Sequence, residues 1–354
     1  MTSLIRTATH EFMARFGLGV PIVQAPMAGF QDSGLALAAG DAGALGSLPG
    51  ASLAPAALRT HVQAIRARGA RPVNVNFFSH TVPALDPTRE AAWRAALRPY
   101  YDEFGLDPAA IPDGPGRLPF DADAMALVEE LRPEVVSFHF GLPDAPLLER
   151  VRATGARVWS SATTVEEARW LEAHGADAII AQGLEAGGHR GLFLSTDVTT
   201  QLGTFALLPQ VVGAVRVPVI AAGGIADAAG VVAALQLGAA AVQVGTAFLL
   251  SPEATTSAPH RALLATPAAA HTAMTNLFSG RPARGIVNRL MRELGPLSTL
   301  PPAFPRAVNA LAPLRAAAER AGSGDFSPLW AGQNVSGARA IGAAEIVRAL
   351  AAGL

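Results

Sequence analysis

The sequence predicts a closed barrel of eight parallel strands, each followed by a helix: an α/β protein with the (β/α)8, or TIM-barrel, architecture. Three observations lead there. Short, continuously apolar runs recur eight times, each ends in small or polar residues, and most are separated by alanine-, leucine- and charge-rich stretches of helical period. Strands without hydrophobic alternation are buried on both faces, as parallel strands covered by helices are. An open doubly wound sheet would also suit the alternation. Such sheets carry GxGxxG after their first strand, whereas here the first strand ends in APMAG and the glycine pairs come late.

In chain order the strand candidates are PIVQAPMAG (21–29), GALGSL (43–48), RPVNVNFF (71–78), EVVSFHFG (134–141), ARVWSSA (156–162), ADAIIAQG (176–183), VPVIAAGG (217–224) and AAVQVGTAF (240–248). Between them lie helical patterns such as TVEEARWLEAHG (164–175) and ADAAGVVAALQLG (226–238). Thr164 is placed as an N-cap with Glu167 at the capping-box position, and Gly175 and Gly238 stand where these helices should end. Residues 79–133 are longer than a simple connection needs and read as an insertion between strands 3 and 4, with GLDPAAIPDGPGRLP (105–119) as its loop. The expected division is a barrel over 1–250 and a largely helical extension over 251–354, broken at PLSTLPPAFP and GSGDFSP, that caps the barrel mouth.

Composition narrows the function. The chain has 354 residues, half of them apolar, enough for a large core. Its longest apolar runs are broken by glycine well before the roughly 18 residues of a membrane span, and the N-terminal stretch lacks a secretory apolar core, so a cytoplasmic protein is expected. A net charge of −1 without basic or acidic blocks gives no footprint for nucleic acid or an anionic membrane and leaves a small molecule as partner. Cysteine is absent, which removes disulfides, thiolate metal sites and thioester chemistry. All 27 basic residues are arginine, which excludes Schiff-base aldolases and pyridoxal phosphate enzymes. The histidines at 10, 61, 80, 139, 174, 189, 260 and 271 show no metal-ligand spacing, so no metal is expected, and GxSxG is missing.

Active sites of such barrels sit at the C-terminal ends of the strands. The residues there are Pro26, Met27 and Ala28 after the first strand, Asn76 on the third, His139 on the fourth, Ser160 and Ser161 on the fifth, and Gln182 to His189 on and after the sixth. Gly223 and Gly224 follow the seventh, and Gln243, Val244, Gly245 and Thr246 end the eighth. AAGGIAD followed by QVGTAF matches the phosphate site that loops 7 and 8 commonly build, where free N–H groups favour an anion. Gly187 and Gly188 permit close backbone approach and positive φ, which suggests a large flat group beside His189. His189 is placed as the proton-handling or charge-stabilising group. Taken alone, His139 reads as a hydrogen-bonded core histidine; its strand position moves it toward the pocket. Glu185 and Asp227 read as loop and cap residues.

Taken together, QAPMAG, VNFF, SFHFG, AQGLEAGGHRG, VIAAGGIAD and QVGTAF, spread over residues 18–290, resemble the FMN-dependent nitronate monooxygenases, formerly called 2-nitropropane dioxygenases. The resemblance implies one non-covalent FMN, with its phosphate on Gly223–Gly224 and Gly245–Thr246 and its ring near Met27, Asn76, Gln182 and Gly187. It implies that His189 is the active-site histidine beside the flavin, with His139 a second polar group facing substrate. The implied reaction is oxidation of an alkyl nitronate by O2 through a flavin semiquinone, without NAD(P)H, to a carbonyl compound and nitrite or nitrate, in a monomer or homodimer. Flavin-dependent enoyl-acyl-carrier-protein reductases share EAGGH and VIAAGGIAD and form the alternative. Characterised bacterial monooxygenases surround substrate with tyrosines, whereas this chain has only Tyr100 and Tyr101, both in the insertion. The counterpart of the family's C-terminal motif is LWAGQNVSGARA (329–340), without tyrosine or lysine, so Phe326 or Trp330 is expected to line the pocket instead.

Overall fold

The computed structural model describes residues 3–69, 71–112, 114 and 116–354. All eight expected strands form. They are β1 (Ile22–Gln24), β2 (Gly46–Leu48), β3 (Val73–Phe78), β4 (Val135–His139), β5 (Arg157–Ala162), β6 (Ala178–Gln182), β8 (Val219–Ala222) and β9 (Ala241–Val244), with the short β7 (Gly188–His189) outside the barrel. The eight pair in parallel in the order β1-β9-β8-β6-β5-β4-β3-β2. A parallel bridge between Val23 and Leu45, with Gln24 N donating to Leu45 O at 2.9 Å, closes the ring. Among the described residues no helix is long and apolar enough to cross a membrane.

Local chemistry starts the barrel helices, at Thr164 and Asp227 as the sequence suggests and at further caps it did not single out. Asp32, Asp121, Asp144, Thr164 and Asp227 each accept a backbone N–H from the first turn, satisfying donors that would otherwise lack partners. Gly175 and Gly238 take φ of +95° and +101° at helix ends, as left-handed terminators do. Glu167 departs from the capping box. Its carboxylate accepts from Thr163 N at 2.7 Å and Phe193 N at 2.6 Å, so it ties the loop after β6 to the helix rather than closing on Thr164. The N-terminal helix Ser3–Phe16 packs Phe12 and Phe16 on Trp159 at 5.6 and 5.3 Å, burying aromatic surface against the barrel interior.

The segments flanking the barrel arrange themselves differently from the linear division. Helix Ala122–Leu131 packs between the helices Pro55–Arg66 and Ala145–Ala153 and serves as the barrel helix between β3 and β4. The preceding helix Pro87–Glu103 leaves the barrel and packs on Ala307–Arg320. Trp93, Leu97, Tyr101, Leu290, Leu311 and Leu314 share one buried cluster there, with Trp93 Nε1 and Tyr101 Oη donating to the carbonyls of Ala307 and Ala310 at 3.2 and 2.7 Å. Insertion and C-terminal segment thus form one packed unit. The C-terminal segment also carries strands β10 (Thr272–Thr275) and β11 (Ala283–Ile286), which make an antiparallel sheet with β7. Its last helix, Ala343–Ala351, packs on Ser33–Asp41 and Ala228–Gln236 and completes the ring of eight barrel helices.

Candidate active site

At the C-terminal ends of the strands lies a cavity of about 900 Å³, within the range of sites that enclose cofactor-sized ligands. Most residues placed at the site from sequence line it: Pro26, Met27, Ala28, Asn76, His139, Ser161, Gln182, Ala186, Gly187, Gly188, His189, Gly223, Gly224, Gln243, Val244, Gly245 and Thr246, whereas Ser160 and the stretch Gly183, Leu184 and Glu185 do not. Ser160 turns away and donates to Gly141 O at 2.8 Å.

One half of the cavity is a backbone cradle. Gly223 and Gly224 adopt φ of +116° and +73°, conformations that L side chains rarely take. At Gly223 a Cβ would also meet Thr204 Oγ1 at 2.9 Å and Ala186 N at 3.0 Å. Among the backbone hydrogen bonds of the described residues, none is donated by Gly224 or Thr246, leaving their N–H groups for a ligand. Glu185 beside them accepts from Thr204 N at 2.8 Å and Thr204 Oγ1 at 2.9 Å, and Asp227 caps its helix; both are structural, as read from sequence. Between cradle and centre, Gln243 Oε1 is buried without a hydrogen-bond partner. A buried amide oxygen left unpaired costs about 1–3 kcal/mol, which a donor on a ligand would recover. Beside the cradle, where β1 neighbours β9, Gln31 Oε1 accepts from Met27 N at 2.8 Å and fixes the first loop.

The other half centres on His189. Its Nε2 lies 2.8 Å from Ser279 Oγ, and its ring is surrounded by Phe304 at 5.3 Å, Trp330 at 5.5 Å, Phe140 at 6.0 Å and Phe78 at 6.3 Å. Burial first, then the neighbouring His139, Arg117 and Arg281, push its pKa well below the ordinary imidazole value. The ring is therefore neutral at physiological pH. His139 is pushed down to about 3, again chiefly by burial. Its Nδ1 meets Ser161 Oγ at 3.0 Å and its Nε2 donates to His189 O at 3.0 Å, so both ring nitrogens are occupied. Gln182 Nε2 donates to the same carbonyl at 2.9 Å while its Oε1 accepts from Gly191 N at 2.7 Å. His139 and Gln182 thus orient the backbone of His189 rather than present free polar groups to substrate. Phe140 adopts φ of +73°, rare for an aromatic residue, with the Arg281 guanidinium stacked over its ring at 3.9 Å.

Several expectations change on this geometry. Gly187 is required by the chain itself: a Cβ there would stand 2.6 Å from Ala331 C and Gly332 N. Gly188, at φ +74°, faces open space. Tyr100 and Tyr101 are buried in the insertion cluster, and Phe326 meets Tyr100 there edge-on at 5.1 Å instead of lining the cavity; Trp330 does line it. The sequence reading missed Arg117, Ser279 and Phe304, and it named Gly332–Asn334 within LWAGQNVSGARA without their role as a strap on the cradle. Gly332 N donates to Thr246 Oγ1 at 2.9 Å, Gln333 N to Glu185 O at 2.9 Å, and Asn334 Nδ2 to Gly224 O at 3.1 Å. The AGQN tetrapeptide in an otherwise helical extension was the signal available for the strap. Arg117 and Phe304 sit in proline-rich loops that resemble any surface connection.

Similarity to known proteins places the chain in a family. A nitronate monooxygenase family model matches residues 10–353. The chain is 42% identical over 350 residues to a nitronate monooxygenase of Pseudomonas aeruginosa, covering 97% of this chain and 98% of that one. A nitroalkane oxidase structure from Streptomyces ansochromogenes superposes with a TM-score of 0.88 at 39% identity, covering 97% of each chain. The structure of FabK from Thermotoga maritima gives 0.69 at 25% identity, covering 96% of this chain and 94% of that one. Matched along nearly its whole length, and built around the same barrel, this chain belongs to the nitronate monooxygenase family.

Proposed function

We propose that the chain is an FMN-dependent enzyme that oxidises alkyl nitronates with O2, giving a carbonyl compound and nitrite or nitrate, without NAD(P)H. The observation that carries this reading is the division of one cavity into an anion cradle at Gly223–Gly224 and Thr246 and an aromatic chamber around a neutral His189. The cradle suits the cofactor phosphate, and Gln243 Oε1 supplies an acceptor where a flat polar ring would lie. Met27, Asn76 and Gly187 line the remaining walls of that space. When bound, the flavin supplies the electron-transfer chemistry that the side chains themselves lack.

The protein's own part is binding and orientation. A nitronate is already the deprotonated, anionic form of a nitroalkane, so no base is required to begin. A histidine held far below its usual pKa is a weak base, and it suits such a substrate because it orients the anion through an N–H without removing a proton. Ser279 fixes the ring through Nε2, and His139 with Gln182 fix its main chain. Phe78, Phe140, Phe304 and Trp330 keep water from the reacting centre.

The likeness to FabK supports a second reading, a flavin-dependent enoyl reductase that draws electrons from NAD(P)H. Anaerobic titration of the purified protein separates the two. Bleaching of the oxidised flavin band by a primary alkyl nitronate, with NADPH inert, is the expected result; bleaching by NADPH with nitronate inert establishes the reductase instead. A colourless protein that takes up no FMN overturns both.

A further inference from the structure

Arg117 has no role in the scheme above. It lies at the end of the β3–β4 insertion and lines the same cavity as His189. Its guanidinium sits over the Phe78 ring at 5.3 Å, and Phe78 in turn stands 6.3 Å from the His189 ring. Several arginines among the described residues meet a carboxylate, as Arg289 meets Glu103 at 2.7 and 2.8 Å and Arg59 meets Glu130 at 2.8 Å. Arg117 meets none among the described residues, and burial alone holds its pKa below the ordinary value. The other nearby cation, Arg281, is engaged with Leu192 O and the Phe140 ring and is partly balanced by Glu167. His80 contributes no charge: its Nε2 donates to Arg117 O at 3.1 Å and burial lowers its pKa to about 4. His189 and His139 are neutral as well. Asp121 and Asp123 also line the cavity, Asp121 as a helix cap, yet neither pairs with Arg117 among the described residues, so the chamber holds a partly buried cation without an ion-pair partner. A guanidinium removed from water without a partner is unfavourable unless a ligand supplies the charge.

We propose that Arg117 is the specificity-determining cation of the site, taking up a planar two-oxygen anion of the substrate. Two groups have that chemistry, the nitronate itself and a carboxylate carried elsewhere on the molecule, and both match the paired N–H donors of a guanidinium. Arg117 thus supplies the positive charge that the histidines, held neutral, do not. This rests on the proposed nitronate chemistry only through the identity of the substrate; the cation and its cavity stand apart from it.

The test uses flavin-loaded wild-type protein and the variants Arg117→Gln and Arg117→Lys. KM and kcat are measured for a simple alkyl nitronate and for one of equal chain length ending in a carboxylate, and the dissociation constant for propionate is followed by its perturbation of the flavin spectrum. Arg117→Gln is expected to raise KM about 10- to 100-fold with a much smaller change in kcat, and Arg117→Lys to restore part of the loss. A loss confined to the carboxylated substrate places Arg117 on the carboxylate; a loss on both places it on the nitronate. Unchanged KM for both substrates and an unchanged propionate constant, with flavin still bound, overturns the proposal. If the wild-type protein turns over neither nitronate, the proposed reaction fails. Propionate then decides the role of Arg117 by itself, with weaker binding in Arg117→Gln supporting it and equal binding refuting it.

Discussion

The two halves of the cavity are built in opposite ways. The cradle is local: VIAAGG and QVGT each run from a barrel strand straight into the loop that would hold a phosphate, so a few consecutive residues specify both backbone and function. The chamber around His189 is assembled from β3, the β4 end, the insertion, the β7–β10–β11 sheet and the C-terminal segment, which bring Phe78, Arg117, Phe140, Ser279, Phe304 and Trp330 to one place from distant parts of the chain. In the proposed function, cofactor anchoring is thereby separated from substrate selection. The first depends on glycines that tolerate no side chain, the second on aromatic and charged side chains that can be exchanged one at a time.

Substitutions that act on one half and spare the other test this separation. The largest effect is expected from Gly224→Asp, which forces a side chain at φ +73° and sets a carboxylate against the anion cradle. The protein should purify without flavin; a yellow preparation would show that the phosphate lies elsewhere. His189→Asn removes the imidazole from the chamber and leaves the cradle intact, so flavin occupancy should be unchanged while turnover drops by about 10²-fold or more. Equal turnover in the two proteins would strip His189 of its role.

Acid should act on the chamber before the cradle. His80 has its pKa lowered to about 4 and His139 to about 3, so each is neutral in the folded protein and binds a proton near pH 6.5 once unfolded. A depressed histidine pKa contributes stability that is complete above about pH 6.5 and is lost as pH falls toward the folded value. At pH 5 the loss for the buried His80 is on the order of 1–2 kcal/mol. The expected thermal midpoint is flat from pH 7 to 9 and declines below about 6.5; a midpoint indifferent to acid down to pH 4.5 would contradict the burial of these rings. The smallest effect is expected from Asn334→Ala, which deletes one bond between strap and cradle. A net loss of about 1 kcal/mol speeds flavin release roughly fivefold, measured by dilution, without altering KM for the nitronate.

Legibility in the sequence follows the same divide. All eight barrel strands and the caps at Thr164 and Asp227 are visible because each is specified by residues within one or two turns of itself. The cradle glycines and His189 are visible for the same reason. The reading of Gly187 identifies the need for close approach and misassigns the neighbour, since what presses on it is Ala331–Gly332, distant in sequence. His139 is placed correctly on the wall, yet its engagement with Ser161 and His189 O depends on tertiary register that no spacing displays. The final helix looks like part of a cap because nothing in Ala343–Ala351 says which neighbours its apolar face will find.

The strap Gly332–Asn334 has a kinetic consequence. It lies directly on Gly187 and is hydrogen-bonded to both cradle loops, so a molecule seated beneath it leaves only when those contacts open together. Exchange would then be governed by how often the strap lifts and not by how strongly the cradle holds. A flavin bound as proposed would stay in place through long dilution even at modest affinity, and protease cleavage within the strap would release it at once.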